Sequence, residues 1–160
     1  VYHFNNPKAI LLKIKDFISE DGVLCINTIS PSMIDFYSIM DKQYDANFVK
    51  FIDRGMRDLW PSVYSFKEWE SIFKDAGFIV KKVTTVMPKS FSPIWNIGMR
   101  SFASQHISLY NLAKKYNSKE AAIIKQEYID RALSFSGSFE INGAMHENDS
   151  AHLWVLERKF

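Results

Sequence analysis

Histidine and cysteine are among the side chains of this 160-residue chain that can bind a metal, and a cysteine thiolate can also act as a nucleophile. The four histidines stand at positions 3, 106, 146 and 152, far apart, with no H-x-x-x-H pair and no second cysteine. Zinc ligands usually come from such short spacings, so we expect no metal site. Cys25 lies in an apolar run, where a cysteine usually acts as a small buried hydrophobe, so a catalytic thiol is not expected either.

Two arginines form a candidate binding site for an acidic group. Arg54 and Arg57 are three residues apart and can face the same way, so their planar guanidinium groups can bind a carboxylate or a phosphate. The competing interpretation is that they pair with Asp53 and Asp58 at the surface. The spacing alone is compatible with both interpretations.

The first elements that would position these side chains are a helix and a strand. Asn6 is a good N-cap and Pro7 suits the first helical position. Apolar residues then recur at helical spacing, namely Ile10, Ile14, Phe17 and Ile18. Gly22 is placed for a left-handed stop, and an unbroken apolar run opens a strand over Val23–Ile29. Such a run is typical of a strand whose sheet is covered on both faces.

A second helix and strand follow in the middle of the chain. Ser65 and Glu68 have the spacing of a capping box, and a packing face follows, made of Trp69, Ile72, Phe73 and Ala76. Gly77 ends this helix. The next stretch, Ile79–Val86, is rich in β-branched residues but interrupted by lysines, which indicates a strand near the edge of a sheet.

Two further segments lie outside the helices and strands described so far. Residues 30–64 contain a short helix that is too apolar to stand alone and must cover something. Residues 92–150 contain two helical patterns, the second capped by Ser118, followed by a turn-rich hairpin or loop over Phe135–Ser150. The longer segment is a lid over an apolar substrate, an oligomer contact or a simple extension of the core.

Composition narrows the class of protein. The net charge of +2 is too small for a nucleic-acid footprint, and a single cysteine excludes an internal disulfide. No long apolar run or secretory leader pattern is present in the sequence. We therefore expect a cytoplasmic globular protein without a nucleic-acid or membrane partner.

Several motifs together resemble one enzyme family. They are His3-Phe4, then Asn6-Pro7, the run from Asp21 to Thr28, Tyr64-Ser65-Phe66 with Ala76-Gly77-Phe78, and the terminal stretch Ala151–Arg158. In this order they resemble the carboxyl-terminal half of a class I S-adenosylmethionine-dependent methyltransferase, from the loop after its fourth strand to its seventh strand. Residues 92–150 are largely unmatched.

The resemblance implies an α/β fold for residues 1–160, as one partial Rossmann-like domain. Its mixed sheet would contain strands resembling the family's fifth, seventh and sixth, in the order 5-7-6, with the seventh antiparallel to both neighbours. Helices would flank the sheet, and a helical insertion would precede the last strand. The strand Val23–Ile29 would then expose an unpaired edge, which we expect to pair with a second copy or with an amino-terminal half.

The resemblance also implies a function: methyl transfer from S-adenosyl-L-methionine to an undetermined small-molecule acceptor. The family holds this cofactor with a glycine-rich turn and an acidic residue at a strand end, but the chain contains no G-x-G. We therefore expect a truncated half that is inactive alone and does not bind the cofactor tightly. The alternative is a non-catalytic Rossmann-like interaction module.

Site residues follow from the same resemblance. His3 lies in the loop that the family places beside the transferred methyl group, so it is the candidate catalytic base, and His3 and Phe4 are the candidate cofactor contacts. Inserts after the family's fifth strand commonly cover the substrate. The candidate substrate-binding residues are therefore Arg54, Arg57, Trp60 and Tyr64.

Overall fold

The structure is a computed structural model that describes residues 1–53, 55–137 and 146–159. One helix precedes the first strand, three helices separate the first strand from the second, and two long helices precede the last strand. In chain order the elements are α1 (Pro7–Lys15), β1 (Val23–Ile29), α2 (Asp35–Gln43), α3 (Ala46–Asp53), α4 (Phe66–Asp75), β2 (Phe78–Met87), α5 (Arg100–Tyr116), α6 (Ser118–Gly137) and β3 (Ala151–Arg158).

The three strands form one sheet in the order β1-β3-β2. The central strand β3 runs antiparallel to both neighbours, with Val23 opposite Glu157 and Ile29 opposite Ala151 along β1. The two outer strands are consequently parallel to each other. The sequence prediction of an α/β fold is confirmed. The structure also agrees with the expected central position and reversed direction of the last strand, and with β2 at an edge.

Local capping explains where α1 and α4 begin. The side-chain oxygen of Asn6 accepts a hydrogen bond from the Ala9 amide at 3.0 Å, and Pro7 occupies the first helical position. At α4 the amide of Glu68 donates to the Ser65 hydroxyl at 3.4 Å, while the Glu68 carboxylate accepts from the Ser65 amide at 2.7 Å. Both predicted helix starts are confirmed.

The end of α1 differs from the prediction. The helix stops at Lys15. The turns that follow are closed by backbone hydrogen bonds between residues three apart rather than four, such as that from the Phe17 amide to the Ile14 carbonyl. Phe17 therefore leaves the helical stripe and is 89% exposed. Gly22 is not left-handed; glycine fits there because a Cβ would approach Ile18 Cγ2 to 2.6 Å. Positive φ values occur instead at Gly55 and at Gly77, and the φ of +81° at Gly77 ends α4.

One face of the sheet, here called the covered face, packs against α1 and α4. Its centre is aromatic: the Trp69 and Phe73 rings stack at 5.8 Å between centroids, and Trp154 meets Phe73 edge-on at 5.1 Å. Both indole N–H groups are satisfied, Trp69 by the Ile29 carbonyl at 2.9 Å and Trp154 by the Thr28 hydroxyl at 2.7 Å. This face holds the main core of the protein.

The opposite face, here called the open face, is exposed toward the start of β1. Val23 is 56% exposed and Cys25 is also exposed, as is Leu153 beside them on β3. The expectation that Cys25 is buried is wrong, because helices cover only the other face of this strand among the described residues. Near the end of β1 the open face is closed by a small cluster of Ile29, Met33, Trp60 and Ala151.

The segment 30–64 folds over this end of the sheet. A short 3-10 turn, Pro31–Met33, leads into α2 and α3, which pack together through a cluster containing Tyr37, Met40 and Val49. The predicted need of this apolar helix for cover is confirmed, since Tyr37 and Val49 are almost fully buried. Arg54 lies outside the described residues.

The insertion before β3 forms an antiparallel helical hairpin, α5–α6. The cap of α6 is Asn117 rather than Ser118, because the Asn117 side-chain oxygen accepts from the amides of Lys119 and Glu120. Of residues 105–131 only Ala121 is buried, which argues against a simple core extension. Half of the predicted loop Phe135–Ser150, residues 138–145, lies outside the described residues, and its first three residues belong to α6 instead. Over the described part of the chain, no helix has both the length and the apolar composition to cross a membrane.

Candidate functional site

The His3 imidazole is held by a backbone carbonyl from a distant part of the chain. Its Nδ1 lies 2.8 Å from the carbonyl oxygen of Leu59. Because a carbonyl oxygen only accepts hydrogen bonds, Nδ1 must carry the proton, and in the neutral ring Nε2 then has a free lone pair. The His3 side chain is exposed, so Nε2 is available to accept a proton from a bound molecule.

The loop that carries His3 is anchored beside the end of β1. Tyr2 packs edge-on against Trp60, with ring centroids 6.4 Å apart, and also tilts against the His3 ring at 4.4 Å. The Ser62 hydroxyl donates to the Phe4 carbonyl, and the Ser62 amide donates to the Tyr2 carbonyl at 3.3 Å. The amino-terminal loop and the end of the 30–64 segment therefore form one unit.

Phe4 is the second candidate cofactor contact, and its side chain is available. The Phe4 ring is 47% exposed while its backbone carbonyl is fixed by Ser62. A ring that is exposed on a fixed backbone can stack on a planar ligand without a large loss of conformational entropy. The structure thus brings His3 and Phe4 together on one anchored loop.

Trp60 and Tyr64, two of the predicted substrate contacts, have packing roles. Trp60 is 7% exposed and belongs to the cluster that closes the end of β1. The Tyr64 ring meets Trp69 edge-on at 5.2 Å and is partly buried against the main core. Trp60 is linked to His3 through the Tyr2 ring, which contacts both side chains.

Arg57 pairs with carboxylates, as the competing interpretation of the arginine motif expected, although with one different partner. Its guanidinium lies 3.0 Å from Asp41 and 3.6 Å from Asp53, and it stacks 4.8 Å above the Tyr37 ring. Burial acts to lower the pKa of Arg57, but the hydrogen bond and charge of Asp41, followed by those of Asp53, raise the pKa above its ordinary value. The Asp41 partner lies 16 residues away, on α2, beyond the reach of local sequence patterns.

A second polar cluster, which the sequence did not predict, lies where β1 and β2 end and β3 begins. The Ser30 hydroxyl contacts the Ser32 hydroxyl at 2.8 Å, and Asp149 accepts from the Thr85 hydroxyl at 2.7 Å and the Lys89 amide at 3.2 Å. A small pocket of about 130 Å³ opens beside it, lined by Ser32, Asp35, Ser65, Lys89, Glu147 and Asn148. Ser30 and Asp149 are 119 residues apart, so only the sheet register brings them together.

The arrangement at His3 is suited to proton removal. Within the described residues, no group of three or more His, Cys, Asp and Glu side chains is close enough to hold a metal ion. One anchored imidazole with a free Nε2, next to an exposed aromatic ring, can orient a bound acceptor and take its proton. Both lie beside the carboxyl end of β1, the edge where ligands bind in open α/β sheets.

Comparisons with known proteins add no family to these observations. No protein-family model matches the chain, and a search of curated proteins finds no match either.

Proposed function

We propose that this chain is the carboxyl-terminal part of an S-adenosyl-L-methionine-dependent methyltransferase that acts on a small-molecule acceptor. The observation that carries the proposal is the sheet order β1-β3-β2, with the reversed strand in the centre and His3 anchored beside the end of β1. This is the arrangement expected for strands resembling the fifth, seventh and sixth of that fold. The sequence motifs that suggested the family lie on these same elements.

The open face of the sheet gives independent support. The apolar run of β1 is suited to a strand covered on both faces, yet Val23 and Cys25 are exposed. The edge of β1 away from β3 pairs with no strand in the described parts of the chain. Both features are explained if further strands and a second helix layer complete the sheet in the whole enzyme.

His3 is the proposed general base. The Leu59 carbonyl fixes the Nδ1 proton and leaves Nε2 free, so His3 can take the proton from an acceptor hydroxyl or amine as that atom becomes a nucleophile. The cofactor, when bound, supplies an electrophilic methyl group. Phe4 would contact the cofactor from the same loop. The sequence lacks a glycine-rich turn, so the rest of the cofactor site must come from another segment.

The decisive experiment compares two lengths of chain by calorimetric titration with S-adenosyl-L-methionine. We expect no tight binding by residues 1–160, and micromolar binding once the region encoded before Val1 is included. That region should encode a glycine-rich turn and then an acidic strand end. Absence of both elements, or micromolar binding by residues 1–160 alone, would contradict this proposal.

A matched pair of variants tests the loop in the longer chain. Phe4→Ala should weaken cofactor binding at least about fivefold, because a stacked ring typically contributes about 1 kcal/mol beyond its area. Phe17→Ala removes a ring that is 89% exposed in the turn after α1, at the opposite end of that helix from Phe4, and should leave the affinity unchanged. Equal affinities for the two variants would remove Phe4 from the site.

A second candidate function is a non-catalytic interaction module. The free edge of β1 favours it, because an unpaired apolar edge strand recruits another chain. Replacing Cys25 by proline would block pairing at this edge, while Cys25→Ser would not. A module of this kind would form a complex that Cys25→Pro abolishes and would bind no S-adenosyl-L-methionine in either chain length.

A further inference from the structure

A small pocket of about 130 Å³ lies beside the carboxyl end of β1, and it is here called the serine pocket because Ser30, Ser32 and Ser65 line it. Ser30 and Ser32 follow β1, and Ser65 caps α4. Ser30 is 3% exposed and Ser32 8%, so their hydroxyl groups have little contact with bulk water. Because buried polar groups are hydrogen-bonded, the direction of each hydrogen bond decides what the serine pocket can bind.

The hydroxyl protons of Ser30 and Ser32 are already engaged within the protein. The Ser30 hydroxyl donates to the Asp149 carbonyl, which can only accept. The Ser32 hydroxyl lies 2.8 Å from that of Ser30 and therefore donates to the Ser30 oxygen. The Ser150 hydroxyl, 3.3 Å from Ser32, donates to the Ser32 oxygen in turn. The carbonyl at the end of this chain of hydroxyls thus fixes the direction of every hydrogen bond in it.

The Ser65 hydroxyl is engaged in the same way. It donates to the Glu68 carboxylate at 2.6 Å and accepts from the Glu68 amide at 3.4 Å. A serine oxygen has one proton and two lone pairs. Each of the three oxygens that line the serine pocket has therefore given its proton, accepted one hydrogen bond and kept one lone pair. Toward a ligand, all three hydroxyl groups act as acceptors.

The charged side chains at the serine pocket balance one another, so net charge does not select the ligand. Asp35 and Glu147 line the pocket together with Lys89, and Lys67 lies beside Glu147. Lys89 Nζ is 3.7 Å from Asp35 Oδ2 and Lys67 Nζ is 4.0 Å from Glu147 Oε2, and all four side chains are more than half exposed. Ion pairs of this kind are weak, so a ligand can replace either lysine.

A cationic and an anionic ligand would meet different hydrogen-bonding partners. An ammonium group would find three serine lone pairs and the carboxylates of Asp35 and Glu147, which are all acceptors. An anion would face these same acceptors, and among the lining side chains it would find donors only in the Lys89 ammonium and the Asn148 amide. Hydrogen bonding at the serine pocket therefore favours a donor.

We infer that the serine pocket binds the ammonium group of a small primary amine. The three N–H donors of such a group equal in number the three lone pairs that the serine oxygens keep. A carboxylate of the pocket balances its charge, and the exposed Pro31 ring on the pocket wall contacts its alkyl chain. No residue of the His3 loop lines the pocket, so this site stands independently of the proposed methyl transfer.

Titration of the unchanged chain with propylammonium chloride at pH 7, followed by nuclear magnetic resonance, tests the class of ligand. The amide signals of Ser30, Ser32 and Ser65 should shift and saturate with a dissociation constant of about 1–10 mM, as expected for so few heavy atoms. Sodium propionate and 1-propanol have the same size but are anionic and neutral, and they should bind at least about tenfold more weakly. Binding of either control as tight as that of propylammonium, or no saturation by about 100 mM propylammonium, would overturn the inference.

Removal of one lysine distinguishes an amine site from an anion site by the sign of the effect. Lys89→Met removes the ammonium group that competes at Asp35, so it should raise the affinity for propylammonium about threefold, the worth of one exposed ion pair. Lys82→Met alters an exposed lysine on β2 that does not line the pocket and should leave the affinity unchanged. Weaker propylammonium binding by Lys89→Met, or an equal change in both variants, would overturn the inference.

Removal of one carboxylate tests the acceptor side of the site. Asp35→Asn keeps the shape of the side chain but removes its charge, so it should weaken propylammonium binding about fivefold. Asp45→Asn, at the start of α3 and also exposed, is the matched control and should bind propylammonium as the unchanged chain does. Tighter or unchanged binding by Asp35→Asn would remove this carboxylate from the site and overturn the inference.

Discussion

The covered face of the sheet and the α5–α6 hairpin both carry large apolar side chains but bury them very differently. On the covered face Trp69, Phe73 and Trp154 are fully enclosed by α1, α4 and the sheet. On the hairpin, Leu109, Leu112 and Tyr116 are more than half exposed. Sequence composition does not separate these regions, because burial depends on what lies opposite each element. Apolar content therefore indicates a need for a partner surface and does not identify that surface.

Truncation of the central tryptophan should give the largest difference between the two regions. Trp154→Ala removes a fully buried ring and leaves a cavity beside Phe66 and Phe73, so the free energy of unfolding should fall by about 3–5 kcal/mol. Tyr116→Ala, on the hairpin, should change it by less than about 0.5 kcal/mol in dilute protein. Urea denaturation of both variants measures this comparison. A cost of several kcal/mol for Tyr116→Ala would mean that the hairpin belongs to the same core.

Hydrogen exchange should separate the two regions without any mutation. Amides of β3 and α4 are protected by the aromatic core and should exchange only through global unfolding. Amides of α5 and α6 in a dilute single copy should exchange about a hundredfold faster or more, through local opening of the hairpin. Mass spectrometry of protein digested after labelling reads both regions in one sample. Equal protection of the two regions would contradict the comparison.

Removal of one hydroxyl tests the polar side of the covered face. Thr28→Val keeps the shape of the side chain but removes the acceptor of the Trp154 indole N–H, which lies 2.7 Å away. A buried donor left without this partner should cost about 1–3 kcal/mol of stability. Thr84→Val, on β2 and half-buried, is the matched control and should cost less than about 0.5 kcal/mol. Equal effects of the two variants would mean that the Thr28 hydrogen bond is not a stabilising contact.

Local features of the fold followed from the sequence, and long-range ones did not. Asn6 and Ser65 are caps whose partners lie within three residues, so a pattern identifies them. The sheet order was expected only from the resemblance. The exposure of Cys25 was not predicted. An apolar run is typical of a strand whose two faces are both packed against other elements, whereas the described residues pack against only one face of β1.

The candidate site shows the same division. His3 was singled out by its position in the motif, but its Leu59 partner lies 56 residues away and no spacing predicts it. Arg57 was correctly associated with Asp53, four residues away, whereas its contact with Asp41 depends on how α2 packs. The cluster around Asp149 has no sequence signal, because the register of β3 assembles it from three separate segments, at the ends of β1 and β2 and the start of β3.

The capping box at α4 gives the smallest predicted effect on the free energy of unfolding. The structure also predicts the direction in which this effect changes with pH. Hydrogen bonds from the Ser65 hydroxyl, and then from the Ser65 amide, hold the pKa of Glu68 below its ordinary value. A carboxyl group whose pKa is depressed by folding stabilises the folded state above its unfolded pKa, about 4.3, and this contribution is lost as the pH falls through the folded pKa. Stability should therefore depend on Glu68 at pH 7 and much less in acid.

Glu68→Gln measures that dependence. The variant should be slightly less stable than the unchanged chain at pH 7, by well under about 1 kcal/mol because Glu68 is exposed to solvent, and the two should converge near pH 3. Glu70→Gln on the same helix, also exposed, is the control and should show no such convergence. A gap between Glu68→Gln and the unchanged chain that widens in acid would reverse the sign and exclude the capping carboxylate as its cause. Because α4 packs on the covered face, the stability difference of Glu68→Gln also measures how much helix capping contributes to the stability of this enclosed core.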